Sequence, residues 1–115
     1  MDTESLIHQV TENESIIGYV LLSPDGIPIK HDERMPYATA VLYASLVTEF
    51  YTRSTFVMRE LSETESTGGV RSFSFRTKER TEIIVAVNSE YLLVVIQNCT
   101  GKPWKWPDGQ GKNNA

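Results

Sequence analysis

Apolar and polar residues divide the chain into two helical patterns and five strand patterns. Residues 16–22 (IIGYVLL) are an almost unbroken apolar run. Their length and β-branched and aromatic content predict a strand buried on both faces. Ser23-Pro24-Asp25-Gly26 then fits a type I turn, with Pro presetting φ at the second position and Gly suiting the fourth. Ile27-Pro28-Ile29 resumes a short strand, and the missing N–H of Pro28 places it at a sheet edge. Residues 70–77 (VRSFSFRT) alternate with period two, Phe73 and Phe75 sharing a face with Arg71 while Ser72, Ser74 and Arg76 face away. Residues 81–87 (TEIIVAV) and 91–97 (YLLVVIQ) are two further strands, and the short polar turns make these three an antiparallel meander.

Two segments follow helical periodicity. Residues 2–14 carry a narrow stripe of Leu6, Ile7 and Val10, with Asp2 or Thr3 as N-cap. Such a helix is too short to stand alone and must dock. From Pro36, suited to a first helical turn, a long helix is predicted to about Leu61. Its apolar arc spans about 200°, wider than the roughly 100° stripe that one sheet covers. Either a second copy of the helix covers the surplus, or the helix is wedged between the sheet and the first helix. Residues 62–69 (SETESTGG) read as a loop. Residues 99–115 are rich in Gly, Pro and Asn and are expected to be a mobile tail, following one domain over residues 1–98. Trp104 and Trp106 are expected to pack back onto the domain or to bind a partner. The predicted class is α+β: a five-stranded antiparallel sheet sandwiched by a short N-terminal helix and a long central helix.

Composition narrows the function. With 115 residues the chain suits one domain. Eleven Lys and Arg against fifteen Asp and Glu give a net charge of −4, which argues against nucleic-acid binding. No apolar run approaches the roughly 20 residues of a membrane helix, so no membrane insertion is expected. The acidic start, Met1-Asp2-Thr3-Glu4, lacks a signal peptide's basic region. One cysteine, Cys99, excludes an internal disulfide and suits a reducing, cytoplasmic setting.

Candidate chemistry is sparse. His8 lies on a short polar helix face and His31 in a loop. Cys99 reads as a small buried or half-buried thiol, with a Cys–His pair as the alternative that coordinates decide. Asp25 belongs to its turn, and Gly68-Gly69 lacks the Lys and Ser/Thr of a phosphate loop. Glu60, Glu63 and Glu65 read as solvated surface. No metal-ligand spacing, cofactor motif or catalytic set emerges, and the expectation is a protein that is not an enzyme. What remains is surface that wants a partner. An edge strand at residues 70–77 is a hazard unless guarded by charge, here Arg71 and Arg76, or paired with another copy about a two-fold axis. A two-fold homodimer using this edge and the long helix yields a ten-stranded sheet.

The order of elements and several motifs resemble the roadblock/LC7 family of dynein light chains. Ile17-Gly18-Tyr19-Val20, followed by Ser23-Pro24-Asp25-Gly26-Ile27-Pro28-Ile29-Lys30, is similar to the family's first hairpin. Tyr43-Ala44-Ser45-Leu46 resembles its long-helix motif. Arg71 to Arg76, Glu82-Ile83-Ile84-Val85 and Tyr91 to Asn98 resemble its last three strands. The resemblance covers residues 4–98; the Trp-Lys-Trp of the tail has no counterpart in it. It implies a homodimer built from the long helix and the third strand. On this sequence the interface would comprise Tyr43, Val47, Phe50 and Tyr51, with Arg71, Ser72, Phe73, Ser74, Phe75 and Arg76. It further implies a non-catalytic light chain of cytoplasmic or axonemal dynein that binds the intermediate chain. Microtubule-based transport and a cytoskeletal, ciliary or flagellar location would follow. The family's close relatives include regulators of Ras-like small GTPases, so a scaffold for such a GTPase is the alternative. A heterodimer with a paralogous light chain also stays open.

Overall fold

The structure is a computed structural model that describes residues 3–61 and 71–106. All seven residues of β1 (Ile16–Leu22) are buried. This strand pairs antiparallel with β2 (Pro28–His31) on one side and with β5 (Leu92–Asn98) on the other. β4 (Thr81–Val87) follows β5, and β3 (Ser72–Arg76) closes the sheet, giving the order β2-β1-β5-β4-β3. The meander and the edge position of Pro28 agree with the sequence pattern.

Period-two alternation sends each central strand's side chains to two cores. Val20, Leu22, Ile83, Val85, Leu92, Val94 and Ile96 face the long helix α2 (Tyr37–Leu61). Tyr19, Leu21, Leu93 and Val95 face the short helix α1 (Thr3–Thr11), which contributes Ile7. The sheet is thus sandwiched between the two helices, as expected. This geometry removes the wedged arrangement of α2, since α1 lies across the sheet from it and covers none of its outward side.

Several boundaries move for local reasons. α1 stops at Thr11, whose hydroxyl donates back to the Ile7 carbonyl at 2.9 Å. Asn13 then turns the chain by accepting from the Ser15 N–H. β2 begins at Pro28 because Ile27 is held in the turn, its N–H donating to Ser23 Oγ at 3.1 Å. β3 is shorter than residues 70–77, and β5 runs one residue later than expected. The predicted loop at 62–69 and the start of the third strand at Val70 lie outside the described residues.

Gly26 sits at φ +89°, and a Cβ there would come within 2.6 Å of Thr48 Oγ1 on α2. The first hairpin therefore touches α2 where only glycine fits. Gly26→Ala is expected to lower stability by about 1–3 kcal/mol through backbone strain alone, with the clash adding to it. Combining it with Thr48→Ala should recover the steric part only, as read by urea denaturation.

Candidate functional site: the outward face of α2 and the β3 edge

A 25-residue helix is about 37 Å long, whereas a seven-residue strand spans about 23 Å. α2 therefore overhangs the sheet. Its sheet-facing row is Ala40, Ala44 and Val47, at spacings of four and three. The two alanines let the helix axis approach β1 and β2 closely. Tyr51 continues this row and Tyr43 flanks it, both half-buried against the same core. The other side carries Leu42, Leu46, Phe50, Phe56 and Val57, and in the last turns Met58 and Leu61 are exposed as well. These exposed apolar residues are interrupted by the Glu49–Arg53 ion pair, and exposed apolar patches of this kind mark interaction sites.

Between α2 and the β3–β4 half of the sheet runs a groove of about 770 Å³. Leu42, Leu46 and Phe50 form one wall, Phe75 and Ile83 the other, and Trp104 and Trp106 close one end. Phe50 bridges to the edge strand, stacking on Phe73 and on Phe75 with both centroid separations at 5.1 Å. Ser72, Ser74 and Arg76 are exposed on β3, and Arg76 reaches Glu82 across the strands at 3.9 Å. Arg71 is exposed just before β3, its carbonyl accepting from the Val87 N–H. Among the described residues no strand pairs with the outer side of β3.

The expected interface residues divide accordingly. Val47 is a correction: only 2% exposed, it packs on the sheet and is unavailable to a second copy. Tyr43 and Tyr51 are corrected in part, because each leans on the core, so Tyr51→Glu would damage the monomer itself. Phe50 remains accessible at 44% exposure. Leu42 and Leu46 were not among the expected residues, yet they occupy the outward row. The signal was present in the helix phase: Ala40 and Ala44 identify the side that must approach the sheet, and Leu42 and Leu46 lie opposite.

His31 is part-buried, its Nδ1 2.9 Å from the Asp32 carbonyl, and its ring lies near Tyr37. His8 pairs with Glu12 on the exposed side of α1. Cys99 is half-buried and free. Among the described residues no three His, Cys, Asp or Glu side chains stand together as a metal site. No described helix is long and apolar enough to cross a membrane.

Burial pushes the Tyr43 phenol above its ordinary range, and the charge of Glu79 adds to the effect. The folded state therefore holds this proton more tightly than the unfolded chain. The associated stability is complete below the ordinary phenol pKa of about 10 and is lost as pH rises through the higher folded value. Thermal melting from pH 8 to 11 should show an alkaline decline that Tyr43→Phe makes shallower. Tyr19, also raised mainly by burial, accounts for a remainder.

A Roadblock/LC7 domain model matches residues 2–97. Solved structures share the fold. A Roadblock/LC7 domain from Streptomyces avermitilis is 20% identical, with 87% of this chain and 81% of that one covered at a TM-score of 0.70. The gliding protein MglB from Thermus thermophilus is 16% identical, with coverage of 83% and 69% and a TM-score of 0.65. Myxococcus xanthus MglB is 13% identical, with 77% of this chain and 64% of that one covered at 0.63. The strand order, the two flanking helices and the match across residues 2–97 agree, and the chain belongs to the Roadblock/LC7 domain family.

Proposed function

We propose that this protein is a non-catalytic docking subunit that works as a two-fold homodimer. The carrying observation is the outward apolar side of α2, standing beside a β3 edge that no strand covers among the described residues. Two copies meeting at β3 would join their sheets into ten strands and lay two α2 helices over the grooves. Both liabilities are then relieved by one isologous contact. The exposed end of α2 and the far sheet edge remain for a partner, and two sites on one dimer raise avidity through effective concentration.

For the partner, a Ras-like small GTPase regulated or scaffolded by the dimer is the first reading. Its support is the likeness in fold to the gliding proteins MglB, together with the GTPase regulators known among relatives of the family. A specific observation favours the second reading, a dynein light chain bound to the intermediate chain. The first hairpin, Ser23 to Lys30, and the final strand resemble that branch residue by residue. A cytoskeletal or ciliary location belongs to this second reading alone.

Sedimentation equilibrium of the purified chain tests the dimer, and a chain that stays monomeric at high concentration ends the proposal. Titration with a nucleotide-loaded Ras-like GTPase and with intermediate-chain peptides then assigns the partner. Saturable binding to one and not the other selects between the two readings.

A further inference from the structure

β1 carries a bulge at its start. Ile16 pairs with Gln97 and Gly18 with Ile96, so Ile17 is the extra residue on this strand. Ile17 packs into the core beneath α2, and a Cβ built on Gly18 points the same way, toward Met35 and Trp106. Two consecutive residues thus face α2, and the second has no side chain. The result is a notch in an otherwise filled surface.

Trp106 fills that notch. Its indole N–H donates to the Ile17 carbonyl at 2.8 Å. A Cβ on Gly18 would lie 2.9 Å from Cζ2 of its ring, closer than real contacts allow. Tyr43 meets the ring edge-on at 6.4 Å, and Trp104 does so at 5.9 Å. The path from β5 to this point is built as well. Asn98 Nδ2 donates to the Lys102 carbonyl at 2.6 Å, and Asn98 Oδ1 accepts from the Thr100 N–H at 3.0 Å. Gly101, at φ +78°, completes the reversal.

We propose that the Gly18 notch is an indole-binding site, occupied in cis by Trp106 of the C-terminal strap. Shape comes from the missing side chain, the acceptor from the bulged Ile17 carbonyl, and the walls from Met35 and Tyr43. The strap ends the α2 groove at its tryptophan pair. An aromatic side chain carrying a donor enters the notch only when Trp106 has left.

The test uses the full chain and indole as probe. Trp106→Ala should bind indole saturably at one site, whereas the wild type should not. Adding Gly18→Ala to that variant should weaken indole at least tenfold. Proton exchange in the ¹⁵N-labelled wild type gives an independent readout if Trp106→Ala does not fold. The Trp106 indole N–H should exchange at least tenfold slower than that of free tryptophan, and Gly18→Ala alone should remove that protection. Exchange at the free rate in the wild type overturns the proposal. So does a folded Trp106→Ala chain that ignores indole, or an unchanged response after Gly18→Ala.

Discussion

Leu46→Glu is expected to weaken self-association about 100-fold while leaving the monomer folded. Leu46 is 56% exposed on the outward row of α2 and lines the groove beside Phe50. A carboxylate there stays hydrated in the monomer, so its effect on monomer stability should fall within about 0.5 kcal/mol. In the proposed dimer the same carboxylate would be taken from water without a partner, at a penalty of a few kcal/mol. A penalty of about 2.7 kcal/mol corresponds to roughly a 100-fold weaker dimer. Sedimentation equilibrium measures the dissociation constant, and the melting temperature at low concentration reports on the monomer. An unchanged dissociation constant would remove Leu46 from the interface and with it the α2 half of the dimer argument. Phe50→Glu is a poorer probe, because Phe50 also stacks on Phe73 and Phe75 within the monomer.

The second large effect concerns Asp32, which holds the approach to α2. Its side chain is 7% exposed. Its Oδ1 accepts from the Arg34 backbone N–H at 2.8 Å and from Arg34 Nε at 2.9 Å. Its Oδ2 accepts from Arg34 Nη2 at 2.6 Å, and Arg34 reaches on to the Ile16 carbonyl. Asp32 N–H donates to the Tyr19 carbonyl, and the Met35 N–H donates to the Asp32 carbonyl. This fork fixes the turn that delivers Met35 to the core and Pro36 to the first turn of α2. The Asp32 contact lifts the Arg34 guanidinium further above its already high ordinary value. Hydrogen bonds to a charged group are worth about 1.5–3 kcal/mol each, and half-exposure of Arg34 discounts them. Asp32→Ala should lower stability by about 2 kcal/mol and the melting temperature by roughly 8–15 °C. Asp32→Asn, which keeps the shape and one acceptor, should fall between. An Asp32→Ala chain that melts like the wild type would mean the turn is held by its backbone bonds alone.

The expected fold survived because each element's pattern agreed with its neighbours. The apolar run of β1, the edge proline of β2 and the alternation of β3 each assigned a sheet position before any contact was known. The candidate interface was less legible. A wide apolar arc on α2 shows that surplus surface exists, not which residues compose it. Tyr43, Val47 and Tyr51 offer apolar contact area, whereas the sheet-facing side is set by small residues, Ala40 and Ala44, that permit close approach. Asp32 and Arg34 gave no motif, since their pairing depends on a turn whose geometry the spacing alone does not reveal.

Local patterning alone set the element order, the two-faced burial of β1 and the α+β architecture, because periodicity and turn chemistry act over a few residues. The tertiary structure decided the rotation of α2, the bulge that aims Ile17 and Gly18 at the same side, and the seat of Trp106 some 89 residues along the chain. Those outcomes depend on which surfaces fit once the sheet has formed, and fit between distant segments is a property of packed volumes, not of any one segment's pattern.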